Sequence, residues 1–190
     1  TVGGNAEKRK LAWRQWWNKK GASVIRRLPI LQTKPIQKPM FSVELAELTG
    51  ILLGDGGITQ RQVTITLNSE TDKEYGLYVA QLFQKLFGVT PSINKVKDAR
   101  AINIVISRTN LVKFCVERLG LKIGNKIKQQ VDIPEWIKRN KQFQIACVRG
   151  LVDTDGSIFT HQYISNGKSY GYKKLDYTSI SKPLLQSTYK

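Results

Sequence analysis

A chain of 190 residues can bury a full core as one large domain or two small ones, and its 41% hydrophobic content is ordinary for a globular protein. The charge is not ordinary: 31 Lys and Arg against 14 Asp and Glu give +17, a self-repulsion that a polyanion offsets, so nucleic acid is the expected partner. No apolar run nears the roughly 20 residues of a membrane span, and one His with two Cys excludes a His-rich metal site or a disulfide framework. Cys115 and Cys147 lie in apolar-periodic stretches and read as buried free thiols. No secretory signal is visible, which predicts a reducing cytoplasm.

Residues 1–40 hold ten Lys/Arg against one acid, Glu7. Glu7–Lys19 is helix-compatible, with Trp13, Trp16 and Trp17 on nearly one face and Gly21 as a stop; Pro29, Pro35 and Pro39 then mark an extended linker. The segment 1–39 reads as a basic arm, its tryptophans packed on the main domain or stacked on a base. Ser42, with Glu44 and Glu47 after it, starts a helix running to Gly54 or Asp55. Ile58 to Leu67 alternates around Gln60-Arg61-Gln62 as a hairpin, with Val63, Ile65 and Leu67 on one side and Gln62, Thr64 and Thr66 on the other. Ser69 is expected to cap a second helix with Glu70 and Asp72 in its first turn, an apolar stripe of Leu77, Ala80, Leu82, Phe83 and Leu86, and an end at Gly88.

A second strand pair, 90–97 and 101–107, turns at Asp98-Ala99-Arg100 and points Ile102, Ile104 and Ile106 one way. A helix over Asn110–Leu119 stops at Gly120, and residues 121–134 form a basic connector with Lys122, Lys126 and Lys128. A helix over 137–155 follows, then a hairpin of 157–165 and 170–180 turning at Gly167-Lys168-Ser169, then a helix opened by Ser181-Lys182-Pro183. Helix, two strands, helix, two strands, helix is therefore followed by helix, two strands and the start of a helix. The second series is about half as long as the first, and with Thr1 at the start the sequence reads as a piece of a longer chain.

One stretch occurs twice. Residues 50–58 read Gly-Ile-Leu-Leu-Gly-Asp-Gly-Gly-Ile and residues 150–158 read Gly-Leu-Val-Asp-Thr-Asp-Gly-Ser-Ile, one hundred residues apart. Glycine inside a helix costs up to about 1 kcal/mol relative to Ala, but small residues four apart (Gly50 and Gly54, Gly150 and Thr154) let two helix backbones approach closely. Asp55 and Asp155 then stand at helix C-termini, where the backbone dipole is already negative. Two such ends side by side make a concentrated negative spot suited to a divalent cation with oxygen ligands. The plain alternative, two turn aspartates before glycine, does not account for the repetition.

These stretches resemble the nine-residue motifs of the LAGLIDADG homing endonucleases: Leu48-Thr49-Gly50-Ile51-Leu52-Leu53-Gly54-Asp55-Gly56 and Val148-Arg149-Gly150-Leu151-Val152-Asp153-Thr154-Asp155-Gly156. The resemblance covers residues 40–190. It implies an α/β (α+β) fold of two pseudo-symmetric αββαββα units packed through the motif helices, here 40–121 and a partial 137–190 joined by 122–136. It also implies a monomer that lays its sheets in the major groove of long double-stranded DNA and cuts both strands with Mg²⁺, or another divalent cation such as Mn²⁺ or Ca²⁺. By the same resemblance Asp55 and Asp155 are the catalytic metal ligands, the carbonyls of Gly54 and Thr154 are additional ones, and Asp153 has a capping role. Leu53 departs from the pattern by replacing the earlier acid of the first motif. Strand parity sends Gln62, Thr64, Thr66, Asn103, Tyr172, Lys174 and Asp176 toward DNA, with Arg61, Lys95, Lys97, Arg100 and Lys173 near bases or phosphates. Lys126 and Lys128 are candidates for basic groups of the active site, the plain reading of each being a solvated connector charge. The expected function is a site-specific DNA endonuclease, intron-encoded or free-standing. The alternative is a non-cleaving binder on the same scaffold, an intron RNA maturase or a DNA-binding regulator.

Overall fold

In the computed structural model, which describes residues 3–21 and 33–189, the chain forms two compact units, Thr1–Lys34 and Pro35–Lys190. In the first unit, helix α1 (Gly3–Trp16) passes into a π-helical turn, Trp17–Gly21. It begins and ends earlier than the expected 7–19, and Trp13 and Trp17, one helical turn apart, stack with ring centroids 5.4 Å apart. A Cβ on Gly21 would lie 2.7 Å from the Trp17 ring, so glycine is the residue that lets this turn close over the indole. Pro29 falls outside the described residues.

The second unit runs α2 (Val43–Gly54), β1 (Gly56–Ile58), β2 (Val63–Asn68), α3 (Lys73–Phe87), β3 (Ser92–Lys95), β4 (Ala101–Ile106), α4 (Thr109–Glu117), α5 (Lys126–Gln129), α6 (Glu135–Lys138), α7 (Lys141–Asp155), β5 (Gly156–Ser165), β6 (Lys168–Tyr177) and α8 (Lys182–Thr188). With α1 this makes a mixed fold of eight helices and two antiparallel sheets among the described residues, one sheet ordered β1-β2-β4-β3 and the other a β5-β6 hairpin. In the larger sheet Val63, Ile65 and Leu67 pair with Ile106, Ile104 and Ile102, and all six are buried. Thr64 and Thr66 pair with Val105 and Asn103 on the other face. That is the alternation expected of a half-buried antiparallel sheet.

Several boundaries differ from the sequence reading for local reasons. The second helix is not capped at Ser69. Asn68 Oδ1 accepts from the Glu70 and Thr71 amides (2.8 and 3.3 Å), and Asp72 Oδ2 accepts from the Asn68 amide at 3.1 Å. This side-chain turn consumes the residues expected to be helical and delays α3 to Lys73. The buried stripe of α3 is Gly76, Val79, Leu82, Phe83, Leu86 and Phe87, whereas Leu77 is 51% exposed. The expected 137–155 helix is two pieces, α6 and α7, because Asn140 Oδ1 accepts from the Gln142 and Phe143 amides (2.9 and 3.3 Å) and starts a new helix at Lys141. The expected connector likewise contains the single-turn α5, capped by Asn125 Oδ1, which accepts from the Lys128 amide at 3.0 Å.

Helices α2 and α7 pack against each other at the centre of this unit, and the small residues do what their spacing requires. A Cβ at Gly50 would fall onto the Cys147 carbonyl, with the carbonyl carbon only 3.0 Å away, and one at Gly150 would lie 2.9 Å from the Ile51 amide nitrogen and against the Glu47 carbonyl. Each helix therefore has the other's backbone as its neighbour at this crossing. Glu47, 2% exposed on α2, ion-pairs with Arg149 of α7 and accepts from the Tyr78 hydroxyl at 2.8 Å. Arg149→Met removes the cation and leaves that carboxylate with Tyr78 as its remaining side-chain partner. Because the guanidinium is half-exposed, the expected loss is about 1–2 kcal/mol, below the cost of breaking a fully buried pair. Urea denaturation checks it, and an unchanged midpoint would show that the pair adds no stability.

The hairpin stands apart in burial. Along β5 and β6 every residue but Gly156 and Tyr177 at its base is exposed. Both long edges lack a strand partner among the described residues. Register puts Ser157, Phe159, His161 and Tyr163 with Asp176, Lys174, Tyr172 and Tyr170 on one face, and Ile158 and Thr160 with Leu175 and Lys173 on the other.

Candidate active site at the paired helix ends

The two motif helices end one motif position apart, α2 at Gly54 and α7 at Asp155. Asp55 caps α2, its amide donating to the Ile51 carbonyl at 3.1 Å, and Gly156 caps α7 with its amide on the Val152 carbonyl. The glycine after each aspartate lets the chain fold back sharply: a Cβ at Gly56 would stand 2.6 Å from Leu52 Cα, and one at Gly156 2.8 Å from Val152 Cα. The returning strand fixes the first corner through the Thr66 amide, which donates to the Asp55 carbonyl at 3.3 Å. Aspartate and glycine thus form one device, a helix end that turns into a strand while holding a carboxylate at the corner.

The two corners meet. A Cβ on Gly54 would collide with the Thr154 side chain and lie 3.2 Å from Asp155 Oδ2, so the Asp155 carboxylate reaches over the end of α2. Thr154 takes up its hydroxyl proton within its own helix, donating to the Gly150 and Leu151 carbonyls at 3.0 Å each. The Asp55 carboxyl is raised from 3.8 to about 6, first by burial and then by the Asp155 charge, with Lys126 opposing both. Asp155 is open to solvent along one side and is also raised, by burial against the opposing pull of Lys126. Both carboxylates are held where burial makes them harder to ionise, and the Asp155 charge adds to this at Asp55, an arrangement poor for stability and characteristic of a functional pair.

Lys126, seventy-two residues from Gly54 along the chain, closes the site. Its ammonium donates to the Leu53 carbonyl at 3.0 Å and to the Gly54 carbonyl, with the Leu52 carbonyl at 3.5 Å. A cation in the open carbonyls of a helix C-terminus is favoured by the dipole. Burial lowers its pKa, and the charges of Asp155 and Asp55 oppose that fall. Lys126 is thus not a solvated connector charge; Lys128, next along α5, is exposed. A cavity of about 470 Å³ opens beside the site, lined by Gly54, Lys126, Asp155 and the 178–181 loop.

No group of three His, Cys, Asp or Glu among the described residues makes a metal site by itself. The donors present are two carboxylates and backbone oxygens, all hard. That set fits a Mg²⁺-type ion, which takes one or two carboxylates and fills its remaining positions with water and substrate phosphate oxygens. The Gly54 carbonyl, an expected ligand, is the Lys126 acceptor here. Asp153 lies away from the pair, its electrostatic neighbours being Glu47 and Arg149.

The residues expected to face DNA fall into separate groups. Thr66 donates to Asn103 Oδ1 at 2.8 Å across the larger sheet, and Gln62 Nε2 lies 3.5 Å from Thr64 Oγ1 on the same face. Arg61 is exposed on the β1–β2 turn, and Lys95, Lys97 and Arg100 are exposed at the far end of β3 and the turn beyond it, Arg100 facing Glu70 at 3.7 Å. Tyr172, Lys174 and Asp176 share one face of the hairpin and Lys173 takes the opposite face. The sequence reading missed the ion pair of Glu47 and Arg149, which joins the two motif helices. It also missed Tyr163 and Tyr170, which complete the aromatic face that holds Tyr172.

No family model matches the chain. It is 24% identical over 168 residues to a DNA polymerase of Thermococcus kodakarensis, covering 68% of this chain and 10% of the relative. It is 25% identical over 176 residues to a DNA polymerase of Thermococcus aggregans, covering 72% and 9%. The chain spans about a tenth of the length of these curated relatives. Among solved structures it is similar to the I-SmaMI LAGLIDADG homing endonuclease bound to cleaved DNA, at 12% identity and a TM-score of 0.46, covering 80% of this chain and 71% of that one. It is also similar to I-DmoI in complex with DNA and Mn, at 23% identity and a TM-score of 0.41, covering 60% and 63%.

Proposed function

We propose that this chain is a site-specific DNA endonuclease of the LAGLIDADG type, a monomer whose units 40–121 and 137–190, joined by 122–136, are related by pseudo-symmetry. The observation that carries the reading is the meeting of two aspartates at abutting helix ends with a buried ammonium beside them, in a strongly basic chain. Asp55 and Asp155 would hold a divalent cation, Mg²⁺ or a similar ion, which when bound supplies neutralisation of the charge developing on the scissile phosphate. The protein's part is positional. The packed helices fix the two carboxylates relative to each other, and the Asp-Gly corners keep them at the protein surface. Lys126 offsets their mutual repulsion and would set a positive charge at the edge of the pair, where charge develops on the scissile phosphate. Arg61, Lys95, Lys97 and Arg100 would hold phosphates, while Thr64, Thr66 and Asn103 offer hydroxyl and amide groups to base edges.

The test is incubation of the protein with Mg²⁺ and a plasmid library of candidate insertion sites, followed by sequencing of linearised products. Double-strand breaks at one long sequence are expected. Binding of a defined duplex with no cutting under any divalent cation would favour the non-cleaving reading, as a regulator or an RNA-splicing factor. Lys126→Met, close in shape and without the ammonium, is expected to slow cleavage roughly 10²-fold with DNA affinity changed by less than about threefold, since the group sits at the paired aspartates and not along the strand faces proposed to hold the duplex. Equal losses in cleavage and affinity would assign Lys126 to binding alone.

A further inference from the structure

The hairpin face that carries Tyr172, Lys174 and Asp176, expected to meet duplex DNA, also carries chemistry that reading base edges does not need. That face holds Phe159, His161 and Tyr163 opposite Lys174, Tyr172 and Tyr170. The rings are not core: Phe159 is 41% exposed, Tyr163 45%, Tyr170 44% and Tyr172 51%. They form a continuous strip, Tyr163 stacked on Tyr170 at 5.4 Å, His161 5.3 Å from Tyr172, Tyr172 6.2 Å from Tyr163, and Lys174 lying 5.9 Å over Phe159. The hairpin has three lysines and a single acid, Asp176.

The larger sheet offers a contrast within the same molecule. Its open face shows Thr64, Thr66 and Asn103, which are hydrogen-bonding groups suited to base edges. Aromatic faces answer a different surface. In a duplex the flat faces of the bases are covered by their neighbours and only edges reach the groove, whereas in an unpaired strand the faces are free. A row of exposed rings flanked by ammonium groups is the arrangement that binds unpaired strands with little sequence preference. We propose that this face of the β5–β6 hairpin is a stacking platform for the unpaired bases of a single-stranded nucleic acid, with the lysines tracking its phosphates. The proposal stands independently of cleavage and of any metal.

It is tested by fluorescence anisotropy in EDTA with the whole chain. The probes are a labelled dT 12-mer, an rU 12-mer of the same length, and an abasic 12-mer carrying the same phosphates. Wild type should bind the two base-bearing strands at least tenfold more tightly than the abasic one, and the ratio of rU to dT reports whether RNA or DNA is preferred. Tyr163→Leu with Tyr170→Leu keeps apolar area and strand propensity but removes the rings. It should weaken dT or rU binding at least tenfold with the salt slope unchanged, while Tyr163→Phe with Tyr170→Phe stays within about twofold of wild type. A 5-iododeoxyuridine 12-mer, photocrosslinked to unmodified wild type, should give adducts on the 159–172 peptides. Equal affinity for the abasic strand, unchanged binding by the Leu variant, or adducts confined to other peptides would overturn the proposal. None of these outcomes bears on the endonuclease reading.

Discussion

Asp55→Asn and Asp155→Asn are each expected to reduce double-strand cleavage by 10³-fold or more while leaving duplex affinity in Ca²⁺ within a few fold and raising the stability of the metal-free protein. The first effect follows from the proposed role, since each substitution removes one of the two anionic oxygen ligands. The second follows from the charges already present. Asp55 titrates near 6 instead of 3.8 because of burial and the neighbouring Asp155, so its ionised form is the strained one. The folded state then holds more protons than the unfolded state between about pH 3.8 and 6. Stability falls as pH rises through that window and stays low above it. Replacing the carboxylate with a neutral amide removes the penalty. With the group only half-buried and screened, the gain at pH 7.5 should be on the order of 1 kcal/mol, and it should vanish below pH 4. Thermal melts of wild type and Asp55→Asn in EDTA across pH 4–8 check the sign. Melting curves that stay parallel throughout would remove the electrostatic account, and cleavage surviving in Asp55→Asn would remove the nuclease assignment.

What the sequence made legible was whatever its own local chemistry decides. The two helix ends, the need for glycine after each aspartate, the cap at Ser42 and the alternation of β2 and β4 all follow from neighbours a few residues apart. The rest depended on contacts that local pattern does not encode. Lys126 sits in a stretch that reads as a charged connector and becomes a site residue only because the Asn125-capped turn aims it at carbonyls seventy-two residues away. The stripe of α3 was misphased at Leu77 because hydrophobicity counts leucine and ignores glycine. Gly76 is the buried position, where a Cβ would stand 3.2 Å from Ile102 Cδ1, so the missing side chain lets the helix lie on the sheet. The Arg149 and Glu47 pair was likewise invisible, since nothing near either residue announces a partner about a hundred positions away.

Gly50→Ala and Gly150→Ala should each destabilise the fold by about 2–4 kcal/mol, although alanine is the better helix former. Two effects compete at these positions. Helix propensity favours Ala by up to about 1 kcal/mol, whereas forcing a methyl into a close-packed crossing costs about 1–3 kcal/mol and more when nothing nearby can yield. The colliding atoms here are backbone, the Cys147 carbonyl against Gly50 and the Glu47 carbonyl with the Ile51 amide against Gly150. No rotamer change relieves them, and the helices must separate, so the steric effect wins. Gly57, exposed in β1, is the control, since a methyl there would meet only the Thr64 carbonyl, at 3.9 Å, and Gly57→Ala should fall within about 0.5 kcal/mol of wild type. The double variant at 50 and 150 should cost less than the sum of the singles, because one separation accommodates both methyls. Separation also moves Asp55 relative to Asp155, so cleavage measured well below the melting temperature should fall by up to about 10²-fold in either single variant that remains folded. If Gly50→Ala instead melts at or above wild type, the backbones are not in contact at Gly50, and the claim that this crossing sets the spacing of the two aspartates goes with it.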